Sequence, residues 1–201
     1  MRKIAVLLIR HIKRADYQTK PWKNGKGTTH DILILPEGSD HSSFELRFAL
    51  SPIVERGVFS SFIGADRAIT LVKGEGLELQ FDAFSKHLNL FESVGFDTGL
   101  APIGTPVGGP VHVVNVMARR GHWDIVQSGV KSELYLECER EDLFFVFCLT
   151  QDNLFIINDQ EVCLKHLDSV LISDIEALKI PEGSDFLYAH LKPSVAEVQA
   201  S

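Results

Sequence analysis

Apolar and polar positions alternate with period two along most of the chain. In Phe44-Glu45-Leu46-Arg47-Phe48-Ala49-Leu50, the residues Phe44, Leu46, Phe48 and Leu50 fall on one face, the pattern of a half-buried strand. Ala68 to Val72 runs into Gly74-Glu75-Gly76 and then Leu77 to Phe81, which predicts a hairpin closed by a glycine turn. Val111 to Arg119 predicts another strand. Leu143 to Leu149 and Leu154 to Ile157 predict a second hairpin across Gln151-Asp152-Asn153, with further strands near Glu161 to Leu164, Ser169 to Ile172 and Phe186 to Leu191. Helical periodicity is scarce, and the one short candidate surrounds Asp174 to Leu178. Many short strands with few helices predict an all-β sandwich or closed barrel. Gly95 to Pro110, rich in glycine and proline, predicts a long loop near the junction of two β-units, and the tail after Pro193 predicts a frayed end.

Composition narrows the classes of partner. A chain of 201 residues suits one large domain or two small fused ones, and 45% hydrophobic with 23% charged residues is ordinary for a globular protein. A formal net charge of −7 and a pI near 5.6 argue against nucleic acid or an anionic membrane as partner. The apolar run Ile4 to Ile9 stops at Arg10, and no small-residue cleavage site follows, so it reads as a first strand or extended lead-in rather than a signal peptide. No apolar run is long enough for a transmembrane helix. Three cysteines (Cys138, Cys148, Cys163) cannot pair completely; they read as reduced thiols and point to a cytoplasmic location.

Several familiar catalytic patterns fail. Gly25-Lys26-Gly27 has neither the spacing of a phosphate-binding P-loop nor that of a dinucleotide fingerprint, and Ser60 and Ser61 do not form a nucleophile elbow. Cys163 and His166, three apart on a predicted strand, point to opposite faces. The eight histidines show no local metal-ligand spacing; His112 and His122 could meet only through the fold, so no metal site and no cofactor is expected. Positive chemistry concentrates elsewhere. Trp22-Lys23-Asn24-Gly25-Lys26-Gly27-Thr28-Thr29 is a polar glycine loop whose backbone could approach a ligand closely, although a plain glycine turn explains it as well. Asn115, Met117 and Arg119 share one face of their strand, an odd face for a core and a suitable lining for a pocket. An edge strand whose Arg119 and Arg120 reach solvent is the competing reading. Arg47 and Arg67 sit among apolar neighbours, where Glu45, Glu55 or Asp66 could pair with them. Alternatively they converge with Lys23 and Arg119 into a cationic pocket for a carboxylate or phosphate.

At these residues the sequence resembles the HutD/Ves family of bicupins. The matching elements are Pro21-Trp22-Lys23-Asn24-Gly25-Lys26-Gly27-Thr28-Thr29, Leu46-Arg47-Phe48-Ala49, Gly57-Val58-Phe59-Ser60-Ser61-Phe62-Ile63-Gly64 with Arg67, and Asn115-Val116-Met117-Ala118-Arg119. The resemblance covers roughly residues 15 to 120 well and the remainder only as a generic β-unit. It implies a double-stranded β-helix (jelly-roll) bicupin with few short helices: one barrel over residues 1–110 and a second over 111–201, with strands shared between them. It also implies a tie to histidine utilisation or stress response, and a pocket for a small carboxylate-bearing molecule. Its candidate ligand-binding residues are Trp22, Lys23, Asn24, Arg47, Arg67, Asn115, Met117 and Arg119, with no catalytic residue among them. Two departures from the family pattern, Val113 at an often acidic position and Lys26 within the glycine loop, make the pocket less acidic. The metal-binding histidine motifs of many cupin enzymes are absent. The expected function is therefore a non-catalytic carboxylate-binding regulator, with a homodimer as its possible assembly. Alternatives are a metal-independent isomerase, lyase or hydrolase using His30, Asp31 or His112 as acid or base, and a protein-interaction scaffold.

Overall fold

The period-two segments become strands from end to end. The computed structural model describes residues 8–21, 28–139, 141–150, 153–183 and 185–194. In chain order the strands are β1 (Leu8–Ile12), β2 (Gln18–Pro21), β3 (Thr28–Leu35), β4 (Leu46–Ile53), β5 (Gly57–Val58) and β6 (Ala65–Lys73). There follow β7 (Gly76–Gln80), β8 (Ser85–Leu88), β9 (Ser93–Asp97), β10 (Ile103–Val107), β11 (Val111–Arg119) and β12 (Trp123–Lys131). The remainder are β13 (Leu134–Glu137), β14 (Leu143–Cys148), β15 (Asn153–Ile157), β16 (Gln160–Leu164), β17 (Ser169–Ser173), β18 (Ala177–Ile180) and β19 (Phe186–Pro193). Helix is confined to single 3₁₀ turns at Arg14–Asp16 and Thr98–Leu100 among the described residues.

All pairings are antiparallel, and they build four sheets. The first barrel places β2-β3-β4-β11-β6-β9 against β5-β10-β7-β8; the second places β1-β17-β14-β19-β12 against β13-β18-β15-β16. The order β4-β11-β6-β9 over β5-β10-β7-β8 recurs eight strands later as β12-β19-β14-β17 over β13-β18-β15-β16. One eight-stranded jelly roll is thus built twice, with β2 and β3 added to the first copy and β1 to the second.

Side-chain alternation produces three stacked cores. Ile69, Leu71, Leu77, Leu79, Val111 and Val113 fill the first barrel. Phe144, Val146, Phe155, Ile172, Phe186 and Tyr188 fill the second. Between the two large sheets, Leu46, Phe48, Leu50, Val114 and Val116 meet Phe145, Phe147, Leu171 and Leu187. Phe48 and Phe145 stack across this layer with centroids 4.3 Å apart. The large sheets are therefore buried on both faces, which explains why β14 is an unbroken apolar run.

Neither predicted hairpin forms. β6 and β7 lie in opposite sheets of the first barrel, and β14 and β15 in opposite sheets of the second. The glycine turn exists as a crossover: Gly74 adopts φ +114°, and a Cβ there would lie 2.9 Å from Val111 Cβ. Folding consecutive strands onto facing sheets lets their apolar sides meet across the barrel, which a flat hairpin does not allow. The Gly95 to Pro110 stretch is not a long loop but carries the end of β9, a 3₁₀ turn and β10. The Asp174 to Leu178 segment holds a positive-φ Asp174 and the start of β18 rather than a helix. The expected division after residue 110 does not follow the sheets, because β11 is a central strand of the first barrel, flanked by β4 and β6. Its two buried faces require that central place. Conversely, β1 pairs with β17, so the chain passes through the second barrel before building the first. Tyr17 Oη donating to the Leu167 carbonyl and Arg14 N–H donating to Asp168 pin this passage.

Candidate ligand-binding site

Three central strands of the first barrel place their inward side chains in rows. Met117 on β11 lies opposite Arg47 on β4 and Arg67 on β6. One row further in, Asn115 lies between Ala49 and Ile69; the next holds Ser51, Val113 and Leu71. The barrel interior is thus apolar toward one end and cationic toward the other. Arg47 and Arg67 are only 4% and 3% exposed.

The two guanidinium groups are treated differently. A register shift in β3 between Asp31 and Leu33 sets Asp31 opposite Ala49, on the inward face beside Arg47. Asp31 Oδ1 accepts from Arg47 Nε at 2.9 Å and lies 2.7 Å from Nη2. Its Oδ2 lies 2.8 Å from His41 Nε2 and 3.6 Å from Lys20 Nζ. Burial pushes the Asp31 carboxyl up, but the His41 hydrogen bond and the Arg47 charge outweigh it and hold the group below its ordinary value. Arg67 has no carboxylate within ion-pair distance among the described residues. Its Nη2 donates to the Ser60 carbonyl at 3.0 Å, while its Nε is buried without a hydrogen-bond partner. Burial, and then the neighbouring Arg47 charge, push Arg67 down to about 9. Both arginines approach Met117 Sδ, at 3.7 and 3.9 Å. Asn115 Oδ1 is likewise buried and has no hydrogen-bond partner among the described residues.

Aromatic rings close this end. The Arg67 guanidinium lies 5.3 Å from the Phe59 centroid, 5.6 Å from Phe96 and 5.9 Å from Phe62, and Arg47 lies 5.5 Å from Phe62. Thr98 Oγ1 ties the Phe62 and Ala65 carbonyls down. Arg119 shares the inward face of β11, but its guanidinium donates to the carbonyls of Phe44, Ile63 and Ser42. It clamps the two covering segments rather than facing the interior. Two open recesses at the sheet edges adjoin this end, the first lined in part by Arg67 and the second by Asp31. One, of about 460 Å³, runs between β9 and β12; the other, of about 450 Å³, is bounded by Arg10, Gln18 and Glu37 and reaches Asp31.

The structure brings together Arg47, Arg67 and Met117, with Asn115 one row away. Trp22, Lys23 and Asn24 lie outside the described residues. Arg47's partner is Asp31, not Glu45, Glu55 or Asp66; Glu45 instead meets His122, and Asp66 meets Arg120. Local sequence could not show this, since Asp31 reaches Arg47 only through the bulge. Phe59 and Phe62, legible in the Gly57-to-Gly64 motif, were not foreseen as ring contacts for the arginines. His30 bonds Thr19, and His112 Nδ1 is buried without a partner; burial, more than the cations nearby, pushes both imidazoles down. Among the described residues no three His, Cys, Asp or Glu side chains are grouped to hold a metal ion.

Two jelly rolls joined back to back, one with a cationic interior end, make this a mostly-β protein of the cupin type, a bicupin. The chain belongs to the HutD family, whose model matches residues 14–187. It is 36% identical over 86 residues to an uncharacterized 21.2 kDa protein in the hutC 3′ region of Pseudomonas putida, covering 42% of this chain and 45% of that one. It is 31% identical over 101 residues to protein Ves of Citrobacter koseri, covering 49% and 52%. The chain thus spans about half the length of the curated relatives it matches. Two solved structures share the fold at 20% identity, each covering 94% of this chain and 100% of the other. They are a conserved protein of unknown function from Pseudomonas aeruginosa PAO1, with a TM-score of 0.79, and HutD from Pseudomonas fluorescens SBW25 in a formate condition, with a TM-score of 0.77. No helix among the described residues is long and apolar enough to cross a membrane.

Proposed function

We propose that the protein binds a small carboxylate-bearing molecule at the Arg47–Met117–Arg67 row and acts without catalysis, as a cytoplasmic regulator linked to histidine utilisation. The observation that carries this reading is Arg67: a buried guanidinium with no carboxylate partner among the described residues and an orphaned Nε. An unpaired charge away from water is costly, and a ligand carboxylate accepting from Arg67 offsets that cost. Asn115 Oδ1, one row deeper, offers an acceptor to a polar group of the ligand, and the Phe59 ring places apolar surface beside Arg67. Arg47, already held by Asp31, adds a second positive edge beside Met117. The hut-region relative and the HutD structure support the pathway link.

Thermal denaturation with formate, acetate, urocanate, formiminoglutamate and formylglutamate tests the proposal. A ligand at about a hundred times its Kd stabilises by about 2.7 kcal/mol, enough to raise Tm by several degrees. The shift is expected in the native protein and absent in Arg67→Met. An equal shift in both would remove the row from the binding site.

A further inference from the structure

We propose that the site selects singly charged anions over doubly charged ones, and that Asp31 sets this selection by cancelling one of two buried guanidinium charges. The inference rests on the carboxylate-binding reading and narrows its ligand class. Among the described residues three ionised side chains are buried at this end of the barrel: Arg47, Arg67 and Asp31. Their sum is +1. Lys20 and His41 face Asp31 from outside, with side chains 41% and 39% exposed, so solvent screens them. Arg119 is bound to three backbone carbonyls and lies at the rim.

A monoanion therefore brings this buried charge sum to neutrality. A dianion of similar size leaves a buried net charge of −1 with no free buried cation among the described residues to meet it, because Arg47 Nε and Nη2 are both engaged by Asp31 Oδ1. Beside side chains this deeply buried, an uncompensated charge outweighs any added hydrogen bond. The donors left over also suit one carboxylate. Among the described residues Arg67 Nε is unpartnered, and Arg47 Nη1 has only the Met117 thioether sulfur, a weak acceptor.

The test is calorimetric titration at constant ionic strength and neutral pH with formate and acetate against oxalate and sulfate. The native protein is expected to prefer the monoanions by at least about tenfold. Asp31→Asn raises the buried charge to +2 and is expected to shift the ratio toward the dianions by about a hundredfold, the scale of one charge at contact distance in a partly buried site. The double variant Asp31→Asn/Arg47→Met removes the pair together, returns the sum to +1, and is expected to restore the monoanion preference. Should Asp31→Asn alone fail to fold, the native and double-variant ratios still decide. Native protein that binds oxalate or sulfate as tightly as acetate overturns the proposal, as does an unchanged ratio in Asp31→Asn. Binding of neither class by native protein overturns the carboxylate reading itself, and with it this selection.

Discussion

Replacing Arg67 with methionine is expected to stabilise the unliganded protein while abolishing carboxylate binding. Burial pushes the Arg67 guanidinium down to about 9, far below its solvated value, a gap worth about 5 kcal/mol against the charged form. The substitution also forfeits the hydrogen bond to the Ser60 carbonyl, about 2 kcal/mol for a charged donor. The contacts with Phe59, Phe62 and Phe96 are worth about 1 kcal/mol more. A net gain of about 2 kcal/mol remains, or about 4–8 °C in Tm for a chain of this length. The sign with pH follows from a base whose folded value is depressed. The penalty is fully present below about 9 and is relieved as pH rises from there toward the solvated value. The variant's advantage should therefore shrink by about 1 kcal/mol at pH 10 relative to pH 7. Urea denaturation of both proteins at the two pH values measures this. A variant less stable than the native protein at pH 7, or an advantage unchanged at pH 10, would refute the claim that this guanidinium is buried uncompensated.

Arg119→Ala, which cuts the clamp on Ser42, Phe44 and Ile63, should lose about 2–4 kcal/mol in urea denaturation. Arg119→Lys should recover little, since one ammonium cannot reproduce the planar fork. Phe145→Ala opens a cavity opposite Phe48 and should cost about 3–5 kcal/mol in a single calorimetric transition; unfolding of the second barrel alone would contradict a shared core. Gly74→Ala should destabilise by at least about 1 kcal/mol, measured as a drop in Tm, because positive φ and contact with Val111 both oppose a side chain. Asp31, held below its ordinary value, contributes stability that is present above about pH 4 and lost as pH falls through the lowered value. Asp31→Asn should flatten that part of the acid limb in a pH series of denaturation curves.

Much of the architecture was legible in the chain. Alternation located most strands and chose which face each buries, because period two is a property of neighbouring residues. Alternation also puts Asn115, Met117 and Arg119 on one face, as the strand register has them, and Arg47 and Arg67 stand out as arginines among apolar neighbours. The resemblance to HutD/Ves proteins supplied the double barrel. Pairing was another matter. Two glycine- or asparagine-bearing turns looked like hairpins, yet each carries the chain between facing sheets, since a turn's chemistry is the same whether or not its strands then pair.

Composition and spacing by themselves settled an acidic, all-β protein with arginines embedded in its strands. Which arginine is neutralised depended on the folded chain. A one-residue bulge in β3 turns Asp31 toward Arg47, while Arg119 is drawn away to loop carbonyls and Arg67 is left without a counter-charge among the described residues. Charge pairing acts through distances of a few ångströms between residues far apart in sequence. Local pattern carries no record of those distances until the sheets close around them.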